Sequence, residues 1–163
     1  MHLLHSRRSQ GRVGFLTVTV LIGGLAVWAW FSAHRADRSE RAGRDAVAAA
    51  TAATQAIFSY DYRRFDTSVA NGMRFVTGSF AQEYAETTAA LKSAAEKERA
   101  VVRAEVSAAG VVSAAPDQVE VLVYVNQYRR NANITGEKVD QNRVVLALVP
   151  VDGEWKVVRA SAI

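Results

Sequence analysis

The chain has 163 residues with 20 basic and 16 acidic side chains, a formal charge of +4, and no cysteine. Once a membrane segment is subtracted, this length holds one compact domain of roughly 120 residues and excludes a second. The missing cysteines exclude disulfides, thiolate catalysis and Cys-type metal sites. Arg7, Arg8 and Arg12 precede the apolar segment, which leaves 17 basic against 16 acidic residues from His34 onward. The domain therefore lacks the concentrated positive face that nucleic-acid phosphates require.

The first predicted element is a membrane-spanning helix. Val13 to Ala33 is 21 residues without a charge, long enough to cross a hydrocarbon core of about 30 Å. A cleaved signal peptide is the alternative, but the run exceeds a usual h-region and ends in Trp30-Phe31-Ser32-Ala33 without a clean small-x-small site. Trp28, Trp30 and Phe31 cluster at one end, where amphipathic rings favour the headgroup layer, and are assigned as membrane-interface anchors. Arg35, Arg38, Arg41 and Arg44 follow the span and outnumber the arginines before it, so the arginine count leaves orientation open. The acid-free first twelve residues and the long following domain favour a cytoplasmic N-terminus. The expected division is a cytoplasmic tail over 1–12, a transmembrane helix over 13–33, a charged stalk over 34–45 and an extracytoplasmic domain over 46–163.

Within the domain, Val47, Ala50, Thr54, Ile57 and Phe58 recur at three- and four-residue steps and predict an amphipathic helix over 39–60. Phe65, Val69, Met73 and Val76 predict a short second helix, interrupted or bent at Asn71-Gly72. Ser79-Phe80-Ala81-Gln82 has capping-box spacing and opens a third helix with Phe80, Tyr84, Thr87 or Thr88, Leu91 and Ala95 on one face and Glu83, Glu86 and Lys92 mainly on the other. The period then changes. Val101–Val112, the valine run from Val119 to Val125, Asn142–Val151 and Trp155–Arg159 predict four strands, the last two joined by a type I′ turn at Asp152-Gly153. Val119, Val121, Val123 and Val125 share one face and Leu122, Tyr124 and Tyr128 the other; Trp155 and Val157 are expected to face the core. Helices first and strands afterwards give an α+β layout, about three helices on a curved four-stranded antiparallel sheet.

Catalytic chemistry is sparse. His2, His5 and His34 all lie in or beside the anchor, so the domain has no imidazole for a base or a metal. There is no phosphate loop and no nucleophile elbow. The most distinctive cluster is Tyr60-Asp61-Tyr62-Arg63-Arg64. Asp61 beside a tyrosine in an apolar pocket is the arrangement of a proton-shuttling isomerase; packing tyrosines with Asp61 as a turn acceptor is the simpler explanation. Thr77-Gly78 reads first as a turn and cap. The Asn133-Ile134-Thr135 sequon matters only in a eukaryotic secretory pathway, and Arg129, Arg130 and Arg143 suit a solvated strand end better than a lipid-headgroup contact. No catalytic residue, cofactor or metal is expected.

The order of these pieces resembles a family. A short basic tail, one membrane helix, an Arg-rich stalk, an alanine-rich helix, Tyr60-Asp61-Tyr62, Thr77-Gly78-Ser79-Phe80 with Tyr84, and the closing Asp152-Gly153-Glu154-Trp155-Lys156-Val157 are similar to the Mce-associated membrane proteins of actinobacteria. The similarity covers nearly the whole chain. It implies a cone-like domain of the SnoaL or nuclear-transport-factor type, with Tyr60, Asp61, Tyr62, Thr77, Gly78, Phe80, Tyr84 and Trp155 as family-motif framework. It also implies a single-pass envelope protein that serves as a non-enzymatic accessory of an Mce-type lipid or sterol importer, with transporter subunits or a permease as partners. A free-standing lipid-binding module and an enzyme using Asp61 are the alternatives.

Overall fold

The computed structural model describes residues 7–163, with side chains from Trp28 onward except Ala29, Ala33 and Ala36. The chain divides into two compact units, 1–38 and 39–163. In chain order the elements are α1 (Arg7–Ile57), β1 (Tyr60–Asp61), a 3-10 turn (Tyr62–Arg64), α2 (Phe65–Met73), α3 (Gly78–Glu98), β2 (Val101–Ala115), β3 (Gln118–Arg130), β4 (Lys138–Val151) and β5 (Glu154–Ala162). Among the described residues no helix is long and apolar enough to cross a membrane. Most side chains of the expected span Val13–Ala33, and the tail before it, lie outside the described residues.

The fold of the second unit is α+β, with helices packed on one antiparallel meander in the order β1-β2-β3-β4-β5. The core forms where two periodicities meet. Alternate residues Val119, Val121, Val123 and Val125 of β3 are at most 2% exposed, flanked by Leu146 and Leu148 of β4 and Val157 of β5. Against them α1 sets Ala42, Ala46, Ala50, Ala53 and Ile57, at steps of four, four, three and four, which is one face of a 3.6-residue helix. Thr54 shares that buried face because its hydroxyl donates to the Ala50 carbonyl at 2.7 Å, leaving no unpaired polar atom. Val157 is fully buried, and Trp155 packs half-buried beside it.

Four expectations need correction. The sheet has five strands rather than four: Tyr60 and Asp61 pair with Val102 and Val101 as β1, and a two-residue strand has no alternation by which to read it. The strands also outrun their apolar patterns, because β2 continues to Ala115 and β4 starts at Lys138. There Arg129 and Tyr128 pair with Lys138 and Val139 although the side chains of β4 are exposed, so ladder hydrogen bonds hold what hydropathy does not mark.

The capping box is likewise absent. Thr77, not Ser79, occupies the N-cap of α3 and makes no side-chain cap bond. Gly78 turns the entry at φ +60, while the Thr77 N–H donates to the Val157 carbonyl at 2.9 Å and ties the helix start to β5. Finally, Gly72 does not interrupt α2 but is its last-turn contact. A Cβ there would lie 2.8 Å from Cζ of Tyr84, so glycine lets the Tyr84 ring close on the helix backbone.

The Asp152-Gly153 turn has both residues at positive φ, 52 and 82, as a type I′ hairpin requires. Two substitutions test the packing. Ala50→Leu forces three carbons into a position with no exposure and is expected to cost about 1–3 kcal/mol. Gly72→Ala, which drives Tyr84 from its seat, is expected to cost about the same. Urea unfolding followed by Trp155 fluorescence measures both.

Candidate functional site

A half-open cavity of about 430 Å³ lies between the helices and the sheet of the 39–163 unit. The end of α1 supplies Ile57, the residue after it Phe58, α2 supplies Phe65 and Val69, and α3 closes one side with Phe80, Tyr84, Thr87 and Leu91. Its floor is the sheet, through Gln127 of β3, Val144 of β4, and Ala160 and Ala162 of β5. Helix α3 supplies a wall because its residues at three- and four-step spacing face the sheet, and Ala160 and Ala162 leave the floor low because they are small. The volume and the mainly apolar lining suit a small-molecule site.

Polar groups on the wall are few and mostly uncharged. Ser59, Tyr60, Tyr84, Thr87, Thr88 and Gln127 contribute hydroxyls and an amide, and Glu83 is the one ionisable carboxyl among the lining residues. Ser59 is partly engaged, its hydroxyl accepting from the Ala104 N–H at 2.9 Å. Thr88 is satisfied within α3, donating to the Tyr84 carbonyl at 2.7 Å. No Lys, Arg or His lines the cavity.

Burial pushes the Tyr84 phenol above its ordinary value of 10. Burial does the same to Tyr60, whose half-buried ring meets Phe65 edge-on at 5.5 Å; the Arg129 charge opposes this shift and the Glu98 charge adds to it. Both phenols therefore remain neutral donors across the physiological range. With folded-state values raised, their contribution to stability is complete below about pH 10 and is lost as pH rises further.

The predicted cluster divides. Tyr60 and Tyr84 reach the cavity, together with Phe80. Asp61 does not line it. Its carboxylate caps the 3-10 turn by accepting from the Arg63 N–H at 2.9 Å, so Asp61 itself does not face the cavity as a base. Tyr62 lies under the Arg63 guanidinium, 5.4 Å from the ring centre. Thr77 and Gly78 form the entry to α3, and Trp155 packs against the core from β5. In the 1–38 unit Trp28, Trp30 and Phe31 are all well exposed, with Trp30 touching Phe31 and His34. Thr87 lies on the helix face the sequence predicts, Glu83 reaches the cavity from the face expected to be solvated, and Ser59 and Gln127 escaped sequence reasoning, since isolated polar residues on distant segments carry no local signal. Among the described residues no cluster of His, Cys, Asp or Glu could hold a metal ion.

No protein-family profile matches the sequence. Two uncharacterized proteins of Mycobacterium tuberculosis, from strains H37Rv and CDC 1551, are 28% identical over 147 residues, covering 88% of this chain and 67% of theirs. Among solved structures, an IcmL-like type IV secretion system protein of Legionella pneumophila superposes with a TM-score of 0.59 at 16% identity, over 72% of this chain and 90% of that one. CagV, a VirB8 homologue from Helicobacter pylori, gives 0.60 at 10% identity over 73% and 96%. The periplasmic domain of DotI gives 0.56 at 15% identity over 72% and 92%. The chain thus has actinobacterial relatives and the fold of VirB8-like domains, with the cavity between that fold's helices and its sheet.

Two measurements check the site. Asp61→Ala is expected to cost about 1 kcal/mol of stability, the loss of one cap, in urea unfolding. Spectrophotometric titration should show tyrosine ionisation extending above pH 10, and Tyr84→Phe should remove part of that late component.

Proposed function

We propose that the protein is a non-enzymatic accessory subunit of an Mce-type lipid or sterol import complex in the actinobacterial cell envelope. Residues 1–12 form a cytoplasmic tail, 13–33 cross the inner membrane, 34–45 form the stalk, and 46–163 fold outside it. Trp28, Trp30 and Phe31 seat in the headgroup layer, which suits their exposure. The observation that carries this reading is the helices-on-sheet fold held in common with type IV secretion system proteins, including one described as a periplasmic domain. It is joined to the order of motifs along the chain and to the use of Asp61 as a turn cap rather than a cavity group.

A lipid-binding module is the second reading, and the cavity favours it. Apolar walls and neutral donors suit a neutral amphiphile bearing a hydroxyl or amide. An anionic headgroup would meet Glu83 without any lining cation to balance it.

A pulldown of the full-length protein from native membranes in mild detergent, with proteins and lipids identified by mass spectrometry, separates the readings. Recovery of Mce-type subunits or a permease is expected, and recovery of the protein without them overturns the accessory role. If loss of the protein stops transport while transporter levels stay normal, it does not act by stabilising the complex. For the second reading, Ala160→Trp fills the cavity floor and should abolish any copurifying neutral lipid while subunit recovery is unchanged.

A further inference from the structure

The two edges of the sheet are treated differently. At β5 the connector between α2 and α3 lies along the strand: the Val157 N–H donates to the Phe75 carbonyl at 2.8 Å, and Val157 accepts from Thr77 at 2.9 Å. At β2 the short strand β1 covers Val101 and Val102, and the Ser59 hydroxyl takes the Ala104 N–H. Past Ala104, among the described residues, nothing pairs with the outer edge of β2. From Val106 to Ala115 this edge reads VSAAGVVSAA, with no charge and no proline. Val111 is 46% and Val112 56% exposed. A long, neutral, exposed edge is a template for another strand; lysine, proline and bulges are the usual means of blunting one, and of these β2 carries only bulges.

We propose that this edge pairs antiparallel with β2 of a second copy of the chain, about a two-fold axis through Gly110. The pattern of β2 is self-complementary about that residue. Val106, Ala109, Val111 and Ala114 lie opposite Val125, Val123, Val121 and Val119 and share the core side. The register breaks at Ser107 and Val112 fall on either side of Gly110, so their shifts compensate: Val106 meets Ala114 of the other copy, and Glu105 meets Ala115, each on the same face. The two register breaks select the register, because an axis at Gly110 sets one break against the other. The contact is isologous and closes as a dimer.

The chain has no cysteine, so single cysteines report the axis cleanly. Gly110 has open space around it, and across the axis the two Cα atoms stand about 4.5–5.5 Å apart, within disulfide reach. In the full-length protein in mild detergent, Gly110→Cys is expected to oxidise largely to a disulfide dimer, while Ser161→Cys on β5 stays monomeric. Ala108 and Val112 meet across the axis. The double variant A108K/V112K is expected to weaken dimerisation at least about tenfold in analytical ultracentrifugation, and A108K/V112E to restore it. Unchanged circular dichroism shows that these exposed positions leave the fold intact; a variant that departs from the parent is set aside and the Gly110→Cys result decides. Gly110→Cys crosslinking no better than Ser161→Cys, or a dimer that survives A108K/V112K with an intact fold, overturns the proposal.

Discussion

Everything in the folded unit depends on the seating of α1 against the valine face of β3. A helix that presents Ala42, Ala46, Ala50 and Ala53 has almost no side chain to hold it off the sheet, so the valines of β3 meet it at close range and are excluded from water. Each fully buried valine contributes about 1.5–3 kcal/mol through burial. The depth of contact, rather than the bulk of any one residue, makes the core. Gly43 extends the same logic toward the start of the unit, where a Cβ would stand 3.3 Å from a methyl of Val111. Without disulfides or metal, this layer has no substitute.

The shallow helix leaves room elsewhere. Where α1 ends at Ile57, the chain turns through β1 and the 3-10 segment into α2, and α2 and α3 cover the sheet beyond α1. Their mutual approach is set at Gly72, on which the Tyr84 ring rests. Their connector is fixed to β5 by two backbone hydrogen bonds around Val157. The cavity exists because these helices stand off the small residues Ala160 and Ala162, whereas α1 sits directly on valines. One consequence of the same layout is that the connector bonds the β5 edge at Val157 and leaves the β2 edge uncovered past Ala104.

The chemistry of the site follows from which side chains the turn at 60–64 delivers inward. Tyr60 points to the cavity and Asp61 to the backbone of Arg63, so the pocket receives a neutral phenol instead of a base. Burial then keeps both phenols protonated. A wall of apolar carbon, neutral donors and one carboxyl suits the holding of a molecule.

By itself the sequence determined the class of the fold, because period is a local property. The 3.6-residue recurrence of Val47, Ala50, Thr54 and Ile57, the alternation from Val119 to Val125, and the Asp152-Gly153 turn each declare their element within a few residues. Ala50, Thr54 and Ile57 of the buried face followed from the same periods, whereas Ala42, Ala46 and Ala53 joined it only through packing. What only the tertiary structure decided involves partners distant in the chain: β1 exists because Tyr60 meets Val102, the polar start of β4 is a strand because Arg129 pairs with Lys138, and Gly72 is required because Tyr84 lies over it. The cavity belongs to this second kind, since Ser59, Glu83 and Gln127 line one wall only when the α1–β1 connection, α3 and β3 converge. Local sequence records the conformation a segment prefers, while a site is a property of distances between segments, and those are set by packing.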